Sequence, residues 1–314
     1  MTTSGKERHP KPDLSMLLAA IDIGTNAVRL FFSNVFSQDG RVVVEKASLV
    51  RIPIRLGEDV FTIRQISEEK ILRLSKTMQA FSLLIDVNQP LAYKACATSA
   101  MREAKNGPEV IDRIFRESGI AIEIIDGLAE ASLVSAFSDF RQNQSGKYHM
   151  FIDVGGGSTE ISVMKGDSVV DSNSFRIGTV RLLTGKVREK EWENLKKWLK
   201  TLRDKWKDIG LVGSGGNINK ITKLYGRIPD NTLSLEQLDY ALTHLESFTL
   251  EERIHQLGLR PDRADVIIHA GRIFRFIMRH VKAKEIYVPK IGLSDGIVHK
   301  LYLNLTRKQL GIGY

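Results

Sequence analysis

The sequence predicts an α/β protein of two duplicated domains that face each other across a cleft. Its 314 residues, 42% apolar and 26% charged, suit two soluble domains of ordinary size. Strand-like and helix-like hydrophobic periods alternate along the chain. A strand, an acidic glycine turn and a second strand occur near the start and recur about one domain length later, around Asp22 and Asp153. The expected organisation is a disordered lead-in over residues 1–14, a first domain over 15–140 and a second over 141–314.

Each element follows from local pattern. Leu17 to Ile23 is a continuous apolar run ending in the turn DIGTN. VRLFFSNVF and VVVEKASLV follow as two further strands, joined through QDG. Ser67 to Asp86 places Ile71, Leu74, Met78, Phe81 and Leu84–Ile85 at helical spacing, with Ser67 as N-cap and Glu69–Lys70 in the first turn. LAYKACATS reads as a buried strand. Pro108 to Ser118 reads as a helix opened by proline, Ile120 to Ile125 as a short strand, and Leu128 to Phe140 as an amphipathic helix before the polar linker RQNQSGK. The second half opens with YHMFIDVGGGSTEISVMKGD. A helix over Glu189 to Trp206 follows, and its stripe of Trp192, Leu195, Leu199, Leu202 and Trp206 is core packing. Leu211–Val212 runs into the turn GSGGN. Arg263 to Val281 is a long helix and Glu285 to Pro289 a last strand, with IGLSDG as a loop after it.

Composition removes several function classes. The one cysteine, Cys96, allows no internal disulfide and no cysteine zinc site, which fits a reducing cytoplasm. No secretory signal or membrane span is visible. The net charge of +9 attracts polyanions in general, yet there is no block of five consecutive basic residues and no RNA-binding signature. A specific nucleic-acid or membrane partner is therefore not expected. The histidines make no metal-ligand spacing, and His269 reads as an ordinary helix imidazole.

The chemistry sits in the two acidic turns. DIGTN and DVGGGSTE each put a carboxylate at the end of a buried strand, then glycines that open backbone N–H groups, then short hydroxyl or amide side chains. Gly24, Thr25, Asn26, Gly156, Gly157, Ser158 and Thr159 suit phosphate oxygens, and Asp22 and Asp153 suit a bridging Mg²⁺. Neither turn is a Walker A loop, because GxxxxGK[ST] is absent.

Paired phosphate loops on duplicated domains resemble the actin-like phosphotransferase superfamily, whose domains are RNase H-like. AIDIGTNAVRL, ATSAMREAKN, IIDGLAEASL and FIDVGGGSTEIS, then IGTVRL, GSGGN and PDRADVI, are similar in order and spacing to the exopolyphosphatase and guanosine-pentaphosphate phosphatase family. The likeness spans Leu17 to about Val298. It implies removal of a terminal phosphate from polyphosphate, or of the 5′-terminal phosphate from guanosine pentaphosphate, with Mg²⁺ or Mn²⁺ as cofactor, in the cytoplasm. It also implies Glu130 as the residue that orients or deprotonates water, Glu160 as a second catalytic or metal-holding acid, and Arg102 as a phosphate ligand. Arg55 is a weaker candidate for guiding a long anion. A homodimer is implied by the resemblance alone.

Three features depart from the family pattern. Ala129–Glu130 stands where many relatives have paired glutamates, Ser294–Asp295 where many have Arg and Glu, and no HD-type domain is visible, so the chain reads as a short form. The readings from other classes are an actin-like small-molecule kinase and a non-catalytic sensor of polyphosphate or of guanosine tetra- or pentaphosphate.

Overall fold

The computed structural model describes residues 15–136, 148–166, 168–206 and 208–309. The expected lead-in over 1–14, the end of the helix drawn to Phe140 and the linker 141–147 lie outside the described residues. The first half runs β1 (Met16–Ile23), β2 (Val28–Gln38), β3 (Arg41–Ile52), α1 (Leu56–Ile63), α2 (Glu68–Asn88), β4 (Ala92–Ala97), α3 (Ser99–Glu103), α4 (Gly107–Ser118), β5 (Ile122–Ile124) and α5 (Gly127–Ala136). The second runs β6 (Tyr148–Val154), β7 (Thr159–Lys165), β8 (Ser168–Phe175), α6 (Thr179–Leu183), α7 (Glu189–Lys205), β9 (Gly210–Ser214), α8 (Gly216–Tyr225), β10 (Thr232–Ser234), α9 (Leu235–Glu246), α10 (Leu250–His255), α11 (Pro261–Ala264), α12 (Ile267–Val281), β11 (Glu285–Tyr287) and α13 (Leu293–Gln309).

The duplication is explicit in the sheets. The first has the order β3-β2-β1-β4-β5, and the second contains β9-β6-β7-β8 extended by β11 and β10. In each half the opening strand pairs antiparallel with the next and parallel with a strand that returns after a helical crossover. Parallel pairing needs that crossover, so the opening strand becomes central and its C-terminal end faces the cleft.

The helices form where the periodicity places them. Ser67 accepts a hydrogen bond from the Lys70 N–H, Glu68 and Glu69 sit in the first turn of α2, and Ile71, Leu74, Met78 and Phe81 are buried. Leu195, Leu199 and Leu202 of α7 are fully buried, and Trp192 packs on Phe276 with ring centroids 4.8 Å apart, so the stripe is core as expected. Each such buried side chain contributes about 1.5–3 kcal/mol.

Two expectations are corrected. Arg263 to Val281 is not one helix: α11 ends at Ala264 and α12 begins at Ile267, with Asp265 and Val266 between them. The loop IGLSDG is largely helix. Leu293 starts α13, and the Asp295 carboxylate accepts the Gly292 N–H at 2.9 Å, so the acid that marks a turn also caps the helix. Although it comes last in the chain, α13 packs on the first sheet. Leu293, Ile297, Val298 and Tyr302 join Leu18, Ala20, Phe31 and Cys96 in one buried cluster with Leu133 and Val134 of α5. The division at residue 141 would have left this helix with the second half. No described helix is long and apolar enough to cross a membrane.

Candidate active site

The two acidic turns are built to one plan. Gly24 N–H donates to the Ala27 carbonyl at 3.1 Å, and Gly155 N–H donates to the Ser158 carbonyl at 3.0 Å. Asp22 lies opposite Arg29 across β1 and β2, and Asp153 lies opposite Glu160 across β6 and β7. The same register position thus carries a cation in one half and an acid in the other. Arg29 donates to the Asp22 carboxylate. Glu160 receives instead the Ser174 hydroxyl from β8 at 2.9 Å.

Glu130 reaches this place through α5. The Asp126 carboxylate accepts the Ala129 N–H at 2.7 Å, which fixes the helix start, and Glu130 falls in the first turn. Gly127 is pressed against the second sheet. A Cβ there would stand 2.4 Å from Ser174 Oγ and 3.2 Å from Glu160 Oε1, so only glycine lets α5 land here. Glu130 is 7% exposed and Glu160 1%, and the Oε2 of each is buried without a hydrogen-bond partner. Burial pushes Glu130 well above the usual carboxylate range, and the charges of Glu160, Asp153 and Asp22 push the same way against Arg102. Burial pushes Glu160 up to about 7, while the Ser158 and Ser174 hydroxyls and Arg102 oppose it. Asp153 is also raised by burial, with the Ser214 hydroxyl, 2.6 Å from its Oδ1, opposing. Four carboxylates from both halves therefore share one electrostatic neighbourhood. Arg102 faces the glutamate pair and is held by a 2.6 Å hydrogen bond from Nη1 to the Ile125 carbonyl, just before α5.

The glycine loop does more packing than anticipated. A Cβ on Gly156 would lie 2.8 Å from Thr25, one on Gly157 would lie 2.2 Å from Ser99 Oγ, and one on Gly178 would lie 2.4 Å from the Gly157 carbonyl carbon. These glycines let the two turns touch, and Thr25 and Ser99 hydroxyls meet at 2.8 Å beside them. Among the described residues the N–H groups of Gly156 and Gly157 donate to no protein acceptor. Two expected phosphate ligands are otherwise engaged. The fully buried Thr159 hydroxyl donates to the Ile177 carbonyl at 2.6 Å, so it does not face a ligand. Asn26 Nδ2 donates to the Asp262 carbonyl at 2.8 Å and ties the first turn to α11. Arg55 is held between Asp265, at 2.7 Å, and Glu58, at 2.5 Å, rather than offered to a substrate.

Sequence reasoning missed Arg29, Ser99, Ser174, Ser214 and Arg263. Aligning the two turns on their aspartates would have found Arg29, which matches Glu160. Arg263 comes from PDRADVI and lies against the GSGGN turn, where a Cβ on Gly216 would be 3.0 Å from Nη2. Burial, with Arg51 and Arg29 nearby, lowers its pKa to about 10.

No three acidic, histidine or cysteine groups are arranged as a metal cage among the described residues. The donors still fit a hard cation. Mg²⁺ keeps several waters and uses only one or two carboxylates with substrate phosphates. The two orphaned carboxylate oxygens and the raised carboxylates are what such a cation would relieve.

Duplicated α/β domains whose glycine turns meet beside converging carboxylates define a phosphate-handling enzyme of the actin-like type. Residues 42–305 match the model of the Ppx/GppA phosphatase family, and the chain belongs to that family. It is 28% identical over 302 residues to the bifunctional 3-dehydroquinate synthase/phosphatase of Fusobacterium nucleatum subsp. nucleatum, covering 84% of this chain but only 43% of that protein. It is 25% identical to exopolyphosphatase 2 of Mycobacterium tuberculosis, covering 90% of this chain and 98% of that one. The crystal structure of the Aquifex aeolicus family member superposes with a TM-score of 0.73 at 26% identity, over 93% of this chain and 99% of that one.

Proposed function

We propose that this protein is an exopolyphosphatase that releases the terminal phosphate of polyphosphate by attack of water. The observation that carries the proposal is the Glu130–Glu160 pair, which is buried, with one oxygen of each carboxylate unpartnered and both groups raised by burial, Glu160 to about 7. A base for proton transfer works best when its pKa lies near the operating pH. Glu130 would hold the water and take its proton as the water oxygen bonds to the terminal phosphorus. The bridging P–O bond breaks on the opposite side and the shortened chain leaves with that oxygen. Arg102 would offset charge on the transferred group, and the Gly156 and Gly157 N–H groups with the Thr25 and Ser158 hydroxyls would orient its oxygens. Glu160, Asp153 and Asp22 would hold Mg²⁺, directly or through water. When bound, that ion would neutralise phosphate charge and draw the glutamate pair into its ionised form.

Relatives named as exopolyphosphatases support polyphosphate as the substrate. Guanosine pentaphosphate offers the same terminal bond, and the half-buried Arg263 beside the GSGGN turn gives that reading a cation from the second half. Chain-length analysis of polyphosphate during digestion, run beside guanosine pentaphosphate, tests the choice. Shortening one phosphate at a time with faster turnover of polyphosphate is expected. Cleavage at internal bonds, or turnover of the nucleotide alone, would contradict it. Tight binding of either without turnover would favour a sensor, and a requirement for a hydroxyl acceptor would favour a kinase.

A further inference from the structure

A cavity of about 420 Å³ opens at the contact between α1, α3, α6 and the start of α7, and none of the four clustered carboxylates lines it. Its walls carry Arg64, Arg176, Arg181, Lys186 and Arg188, against only Glu103 and Glu191. Glu103 is shared by Arg176 and Arg181, and Glu191 is paired with Arg188 at 3.2 Å. Arg64 and Lys186 make no ion pair among the described residues. Two acids facing five bases leave an excess of three positive charges around a space large enough for several phosphate groups.

Ordinary structural roles account for part of this set. Arg64 sits in the left-handed conformation that closes α1, at a helix C-terminus where a cation is favourable. Arg181 is structural as well: it is buried, lies over the Phe61 ring at 3.9 Å and donates from Nε to the Gly157 carbonyl at 2.8 Å. Lys186 has no such role, and Arg188 has only its pair with Glu191. Both stand at the N-terminus of α7, the wrong end of a helix for a cation, and no side chain caps the backbone N–H groups at that helix start. An anion in the cavity would satisfy the free cations and the uncapped helix end together.

We propose that this cavity is a second anion site, separate from the carboxylate cluster, that takes a compact oligophosphate. Its floor is Arg181, whose guanidinium also holds the Gly157 carbonyl. Occupancy therefore acts on the glycine loop of the catalytic cleft through one side chain. The proposal does not depend on the hydrolytic reading, because it concerns binding in a pocket that the cluster does not line.

Calorimetric titration with tripolyphosphate in the presence of EDTA tests it. Without a cation the buried carboxylates repel a polyanion, so the metal-free protein isolates the cavity. One tripolyphosphate per chain is expected, with affinity that falls as salt rises. The exposed double variant Arg64→Gln/Lys186→Glu should bind at least tenfold more weakly and still unfold cooperatively, losing only the small helix-end contribution of Arg64. Hydrogen exchange at residues 155–158 should slow on binding to the wild type. No binding to the metal-free wild type, or equal binding by a folded double variant, would overturn the proposal.

Discussion

Glu160 occupies the register position that holds Arg29 in the first half, and this exchange sets the electrostatics of the cleft. An arginine pairs with Asp22, whereas Glu160 is itself raised by burial and by the charge of Asp153 and in turn raises Glu130. Between the ordinary 4.5 and about 7, folded Glu160 keeps a proton that the unfolded chain loses. The folded state then binds more protons, so stability of the metal-free protein falls as pH rises through that window. Glu160→Gln should raise metal-free stability at pH 8 by roughly 1–3 kcal/mol while abolishing phosphate release. Thermal unfolding checks this, and a lower melting temperature at pH 8 would mean that the ionised carboxylate is net stabilised. For the metal-loaded wild type, phosphate release should rise with pH along a limb that lies below about 7, because the pair acts ionised and the bound cation favours that form. A pH–rate profile falling over that range would place the working form on the protonated side. At this scale the sequence was informative where residue type and duplication agree, as at Asp22 and Asp153. It was silent on Ser174 and Ser214, because a serine on a strand carries no mark of what it faces.

The strand–turn–strand unit holds its shape through glycine contacts as much as through hydrogen bonds. Gly157→Ala would push a methyl group into Ser99 Oγ and the Phe61 ring, and should cost about 1–3 kcal/mol through overpacking. Ser99→Gly should restore part of that loss in the double variant, leaving the clash with the Phe61 ring, and a double-mutant cycle in urea measures the coupling. Additive effects would show that the loop is displaced elsewhere. Long amphipathic helices such as α2 and α7 were legible because tertiary packing follows their stripes. By contrast, α6, α8 and α13 escaped notice because each begins at a glycine turn that reads locally as loop. In α8 the turn is the helix start itself, with Gly215 at φ 110° in the cap position.

Across the whole molecule, ion pairs join the halves beside the turns. Arg51 meets the Asp262 carboxylate at 2.5 Å with both side chains under 10% exposed, Arg55 meets Asp265, and Glu103 meets Arg181. Val180 and Val266 from the second half also sit in the core cluster of the first. Removing one member of a buried pair leaves an uncompensated charge, so Arg51→Ala should cost about 3 kcal/mol and loosen the closed arrangement. Small-angle scattering should show a larger radius of gyration, and KM should rise more than kcat falls. Unchanged scattering with unchanged KM would mean that the halves are held by apolar packing alone. The paired domains could be read from the repeat. The return of α13 to the first sheet could not, because chain order says nothing about which sheet a terminal helix covers.

The central claim is that a water poised by Glu130 cleaves a terminal phosphoanhydride with help from a divalent cation. Phosphate release from long-chain polyphosphate, with and without Mg²⁺, in the wild type and Glu130→Gln, tests it most directly. The glutamine keeps the size of the side chain but cannot take the proton, so metal-dependent release that falls at least a hundredfold in a folded variant is predicted. Release that survives the substitution, or that needs no metal, would contradict the claim.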